Sequence, residues 1–213
     1  MLKHEEFVEK LRIALQEPLP GTAAHEKMRP YLRLDPSLNI PIPPTAKKSA
    51  VLCLIYPVEE ISHLALIERP VYDGVHSGQL AFPGGKPELR DINLLQTALR
   101  EAYEEVRILE DKITVLGKLT DVYVWASNFL VSPFVAYSME RPDFVPDKDE
   151  VQSILEIPVQ IFKNPDIVKE KPMQSKLNAL LNAPYFDLEG KVLWGATAMM
   201  ISELKDIMLR FND

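Results

Sequence analysis

The sequence predicts an α/β fold in which a mixed β-sheet is sandwiched between helices. Strand-like and helix-like segments follow one another without the regular alternation of a doubly wound parallel sheet. No G-x-G-x-x-G opens a helix after a strand, so a dinucleotide-binding version of that fold has no support. The 213 residues, 46% of them apolar, suffice for one well-filled core, because a domain takes roughly 100 to 200 residues.

Residues 3–16 carry Phe7, Leu11, Ile13 and Leu15 at near-helical spacing among charges, which predicts a short amphipathic helix packing as an arm. From Pro18 to Pro44 prolines cluster and periodicity disappears, predicting an extended connector. Residues 1–45 are thus expected to pack as a helix and Pro-rich extension on a domain of residues 46–213. "SAVLCLIYP" and "HLALIERP" predict two strands separated by a polar turn, each stopped by proline. After the loop "VYDGVHSGQLAFPGG", a helix is predicted over 92–107, with Leu95, Ala98, Leu99, Ala102 and Val106 as a core-facing stripe and Asp91 as its N-cap. Strands are expected in "ITVLGKLT", "VYVWAS" and "FLVSPFVAYS", then an acidic turn-rich segment and a short helix near 151–155. Strand-like "YFDLEGKVLWG" and a helix over 196–209, with Met199 and Met200 in the core, close the chain.

Composition narrows the function classes. No run approaches the roughly 18 apolar residues a membrane span needs, and acidic residues interrupt the N-terminal apolar ones, so a cytoplasmic protein is expected. A formal charge of -7 argues against wrapping nucleic acid, which needs a basic footprint. Cys53, within an apolar run, reads as a buried thiol rather than a nucleophile.

The helix "LLQTALREAYEEVRI" raises a sharper possibility. Glu101 and Glu105 lie one turn apart, with Glu104 beside them at i+3 from Glu101. Like charges at this spacing cost an isolated helix about 0.2–0.5 kcal/mol each. One reading is a solvated acidic face. The other, favoured by the tight "FPGGK" turn just before, is a set of hard oxygen ligands for Mg²⁺ or Mn²⁺. Zinc is disfavoured because no His or Cys cluster accompanies the carboxylates.

These residues resemble the Nudix box, G-x5-E-x7-R-E-U-x-E-E-x-G-U, where U is a bulky apolar residue. Gly85 stands at the first glycine, Asp91 replaces the glutamate, and Arg100-Glu101-Ala102-Tyr103-Glu104-Glu105 supplies the core. The gap from Asp91 to Arg100 is one residue longer than the pattern, and Arg107 occupies the second glycine's place. Upstream, Arg69, Gly78 and Phe82-Pro83-Gly84-Gly85 resemble the signature of the coenzyme A pyrophosphatase branch, which shares the one-residue insertion. Gly74 stands where that signature has a second arginine. "SNFLVSPFVAY" and "YFDLEGKVLWGATA" also resemble the branch.

The resemblance implies a Nudix fold and metal-dependent hydrolysis of a nucleoside diphosphate derivative. For coenzyme A the products would be adenosine 3',5'-bisphosphate and 4'-phosphopantetheine. ADP-ribose or NADH is the alternative substrate, and a non-catalytic ligand-binding regulator the alternative class. It further implies Glu101 and Glu105 as principal metal ligands, with Glu104 and Gly85 completing the set. Glu101 and Glu104 would share the catalytic role, while Arg100 pairs with Asp91 or Glu104 to hold the loop. Arg69 and Lys86 are candidate phosphate contacts against a reading as solvated charges. His76 is a candidate substrate donor or a structural hydrogen-bonder. Glu150 is either an extra carboxylate brought from a distant loop or part of a solvated turn. A second copy of the chain, forming a homodimer, is the macromolecular partner left open.

Overall fold

A computed structural model describes residues 2–32, 41–70, 78–174 and 180–211. Its first half runs through α1 (His4–Ala14), α2 (Thr22–Glu26), β1 (Tyr31–Leu32), β2 (Lys47–Val58), β3 (Ile61–Glu68), β4 (Leu80–Ala81), β5 (Gly84–Gly85) and α3 (Leu94–Val106). There follow β6 (Thr114–Lys118), β7 (Val122–Val124), β8 (Phe129–Tyr137), β9 (Ser153–Pro158), β10 (Val168–Gln174), β11 (Leu180–Leu188), β12 (Lys191–Trp194) and α4 (Gly195–Met208).

The larger sheet has the order β4-β3-β2-β8-β6, with β5 also on β2, β7 on β8 and β9 on β3. Its central β2 and β8 lie parallel, whereas β2 and β3 form an antiparallel hairpin, so the sheet is mixed. Period-two alternation along β2 buries both faces. Leu52, Leu54 and Tyr56 join Ala98, Leu99, Ala102 and Val106 of α3 in one apolar cluster. Cys53 and Ile55 point the other way, into a cluster with Phe7 and Leu11 of α1 and Ile201 and Leu204 of α4. The sheet is thus sandwiched between helices. Burial pushes the Cys53 thiol up to about 12, which leaves it inert at neutral pH.

Residues 4–28 are bolted to the sheet and α4 by buried polar groups as well as apolar ones. His4 Nε2 donates to the Ser138 carbonyl (2.8 Å), and its Nδ1 lies 3.0 Å from the Ser62 hydroxyl. Glu203 on α4 is fully buried, and its carboxylate accepts from the Gly21 and Thr120 amides, the Thr120 hydroxyl and His25 Nε2, all at 2.7–3.1 Å. Each of those donors is satisfied, which is the condition for burying a carboxylate.

Several local expectations change. The segment expected to be helical near 151–155 instead enters β9, because it supplies an antiparallel partner to β3 from Glu68↔Ser153 to His63↔Pro158. A short apolar run takes its conformation from such pairing more than from its own period. Pro57 does not stop its strand. It lies in β2 beyond Ile55↔Tyr137, the last pair with β8, so no ladder partner on that side needs its missing N–H. The proline-rich connector includes the short helix α2, and β1 pairs with β11.

Candidate active site

The site starts from how α3 begins. Its N-cap is Asn93, whose side chain accepts from the Gln96 amide at 3.0 Å, and not Asp91 as expected. Asp91 faces Arg100. The two carboxylate oxygens lie 3.0 Å from Nε and Nη2 of Arg100, and Oδ2 also accepts from the Thr97 hydroxyl and the Glu88 amide. The Arg100 guanidinium holds the Asp91 carboxyl well below the usual carboxylate range. Arg100 Nη2 also donates to the Lys86 carbonyl (2.8 Å), so one planar guanidinium ties residues 86–91 along the helix.

The Gly-Gly turn follows from packing. Gly84 has φ +154, and a Cβ there would strike the Ala50 carbonyl and Val51. A Cβ on Gly85 would strike the Glu101 carboxylate. The turn thus lies against both β2 and the helix edge, and the Gly84 amide donates to Glu105 Oε2 at 2.8 Å.

Glu105 is only 1% exposed. Burial pushes its carboxyl up to about 8, against the opposing pull of Arg69 and the Gly84 amide. Burial likewise raises Glu101, despite Arg100 Nη2 3.0 Å from its Oε1. Glu150 joins these two, and one oxygen of each of Glu101, Glu105 and Glu150 lies within 4.8 Å of the others. The end of α3 delivers it. The Glu105 and Val106 carbonyls, which lack partners within the helix, accept from the amides of Asp147 (2.8 Å) and Val145 (3.2 Å). Asp147 then accepts from the Glu150 and Val151 amides, turning Glu150 back over the helix edge.

Glu104 does not join the cluster. Its Oε1 accepts from Arg90 at 2.6 Å and its Oε2 from Arg100 at 2.7 Å, and the side chain is 40% exposed. Arg69 lies at the site, with Nη2 3.3 Å from the Gly84 carbonyl and 3.8 Å from Glu105 Oε1. Lys86 is exposed, with its ammonium 5.5 Å from the centre of the Phe129 ring. His76 and Gly74 lie outside the described residues. Arg90 and Asn93 gave no periodic or motif signal, since loop contacts carry none. The sequence cue to the Asp147 turn was only the acidic "PDKDE" itself.

Arg107 takes up the left-handed conformation the box glycine would occupy, at φ 60 and ψ 34. Its guanidinium stacks 5.0 Å from the Tyr103 ring centre, and the Ile108 amide returns to the Ala102 carbonyl. The helix therefore ends as glycine would end it, with a cation–π contact offsetting part of the strain.

The donor set fits a hard divalent cation. Glu105 is shielded from water and Glu101 half-buried, the described guanidinium beside Glu105 is 3.8 Å away while Arg100 lies 3.0 Å from Glu101, and all candidate ligand atoms are oxygens. Among the described residues, no helix is long and apolar enough to cross a membrane.

Residues 46–173 match the family model described as NUDIX domain. A protein of Pectobacterium atrosepticum named "Uncharacterized Nudix hydrolase NudL" is 31% identical over 175 residues, covering 81% of this chain and 88% of the relative. Its namesake in Yersinia pestis is 34% identical over 166 residues, covering 75% of this chain and 79% of the relative. Among solved structures, the Nudix hydrolase RenU from M. smegmatis superimposes with a TM-score of 0.54 at 16% identity, over 79% of this chain and 89% of that one. The MutT protein from Methanosarcina mazei Go1 superimposes with a TM-score of 0.50 at 15% identity, over 77% and 95%.

Proposed function

The chain belongs to the Nudix family and is a Nudix hydrolase, and from that premise we propose that it cleaves the pyrophosphate linkage of coenzyme A or its derivatives. One observation carries the catalytic part of the reading: Glu101, Glu105 and Glu150 converge beside the Gly84-Gly85 turn and Arg69. The substrate part is supported by the use made of the upstream signature. Arg69 and Gly84, which precede the box, and Gly85, which opens it, lie against its glutamates.

Glu101, Glu105 and Glu150 would hold Mg²⁺ or Mn²⁺, with Glu104 left in a bracing role by its two arginines. A divalent ion there would neutralise pyrophosphate charge and lower the pKa of water. Hydrolysis adds one water across the anhydride: its oxygen bonds to one phosphorus while the bond from that phosphorus to the bridging oxygen breaks. Glu101, inside the cluster beside the Gly85 turn, is assigned to take the proton. Arg69 would offset phosphate charge and Lys86 would meet it from the exposed side. Arg100 positions the loop through Asp91, and its Nη2 lies 3.0 Å from Glu101 Oε1.

The test is incubation with coenzyme A and Mg²⁺ or Mn²⁺, with products separated by chromatography. Adenosine 3',5'-bisphosphate and 4'-phosphopantetheine should appear in equal amounts. Cleavage of ADP-ribose or NADH without cleavage of coenzyme A or its thioesters would transfer the assignment to another nucleoside diphosphate derivative.

A further inference from the structure

A cleft of about 410 Å³ opens between the smaller sheet and the β3–β4 edge of the larger one. Lys171, Met173, Val192 and Trp194 line one wall. Strand register explains why. They lie opposite Ala183, Leu181, Asp187 and Tyr185 of β11, all odd-numbered, so the period-two pleat turns them to one face. Glu68 and Leu80, paired across β3 and β4, form the facing wall. Lys191 spans the gap, its ammonium 2.7 Å from Glu68 Oε2, which also accepts from the Ser153 hydroxyl.

The cleft shares two chain segments with the carboxylate cluster. Arg69, which reaches Gly84 and Glu105, directly follows Glu68. The Glu68 carbonyl accepts from the amide of Gln152, two residues past Glu150.

The lining suits one chemistry. An indole with thioether and aliphatic neighbours takes a flat heteroaromatic ring. Lys171, with its ammonium 5.3 Å from the Tyr185 ring centre, and Lys191, whose ammonium is shared with the Glu68 carboxylate, bring two ammonium groups from two strands to the same space. We infer that the cleft is a subsite for a nucleoside carrying a phosphate outside the pyrophosphate linkage, with the ring against Trp194 and that phosphate between Lys171 and Lys191. The turnover test rests on the coenzyme A reading, because that substrate carries such a phosphate on its ribose. A binding test does not.

For turnover, coenzyme A is compared with 3'-dephospho-coenzyme A. The protein should favour the phosphorylated substrate by about tenfold or more in kcat/KM, chiefly through KM, and the double variant Lys171→Gln/Lys191→Gln should bring the ratio to about one. For binding, Trp194 fluorescence is followed in a Trp125→Phe background during titration with adenosine 3',5'-bisphosphate and with AMP. The bisphosphate should quench at about tenfold lower concentration, and the double variant should lose that difference. Selective quenching without coenzyme A cleavage would retain the cleft and sink the substrate reading. Coenzyme A cleavage with equal ratios in both proteins, or equal quenching by the two nucleotides, would overturn the cleft and leave the substrate reading standing.

Discussion

Glu105 carries a carboxylate that is 1% exposed, bonded to the Gly84 amide and pushed up to about 8 by burial. Its ordinary value is about 4.3, so without a divalent cation the native state holds this proton more tightly than the unfolded chain. The sign follows: this stabilising contribution is fully present below about pH 4 and is lost as pH rises through about 8. Glu105→Gln keeps an acceptor for Gly84 and cannot ionise. In chelator, the variant should melt above the parent protein at pH 9, about one unit past the transition, and the gap should close towards pH 4. With metal and substrate it should lose about 10²-fold or more in kcat, read by product formation. Coincident melting temperatures across that pH range would mean that the carboxylate is not held in an unfavourable environment.

At the scale of one element, α3 shows how a helix serves as both core and scaffold. Ala98, Leu99, Ala102 and Val106 dock it on the sheet, while its last carbonyls hold residues 145–147 and so deliver Glu150. Its ending depends on Arg107 at φ 60. A left-handed residue other than glycine costs about 1–2 kcal/mol, of which an exposed cation–π contact returns about 0.5–1. Arg107→Gly should therefore change stability by less than about 1 kcal/mol, because relief of strain and loss of the Tyr103 contact oppose each other. Arg107→Val, with a β-branched side chain in the same conformation, should cost about 1–3 kcal/mol. Urea denaturation separates them, and equal effects would argue against a left-handed ending.

Across the whole molecule, the two faces of the larger sheet have different work. One face carries α3 and the glutamates; the other carries α1 and α4, joined to the preceding segment by Glu203 and His25. We propose that residues 1–45 act as a structural part of the fold. Glu203→Ala removes one acceptor from four donors and should cost about 3 kcal/mol or more in a denaturant titration. Because Glu203 lies away from the carboxylate cluster, kcat of the folded fraction should stay within about twofold. A selective loss of kcat with unchanged stability would instead place this buried network in the catalytic apparatus.

The sequence by itself determined the α3 stripe, the major β-strands of the sheet and the carboxylates available for a metal, because period two, period 3.6 and i+3/i+4 spacing are local properties. It also located Arg69 upstream of the box and the Gly-Gly turn that opens it. Helical spacing could not decide which glutamate turns inward. Glu104 and Glu105 are adjacent on the same helix, yet Arg90 and Arg100 draw one into solvent while the Gly84 amide and apolar packing bury the other. Nor could it decide whether Glu150 was a solvated turn residue, or whether 153–158 was a strand. Tertiary structure showed the strand, and it brings a Glu150 oxygen within 4.8 Å of Glu101 and Glu105 while leaving the residue exposed. Helix-end carbonyls and an open sheet edge are unsatisfied hydrogen-bonding groups, and only the folded chain shows which distant segment comes to satisfy them.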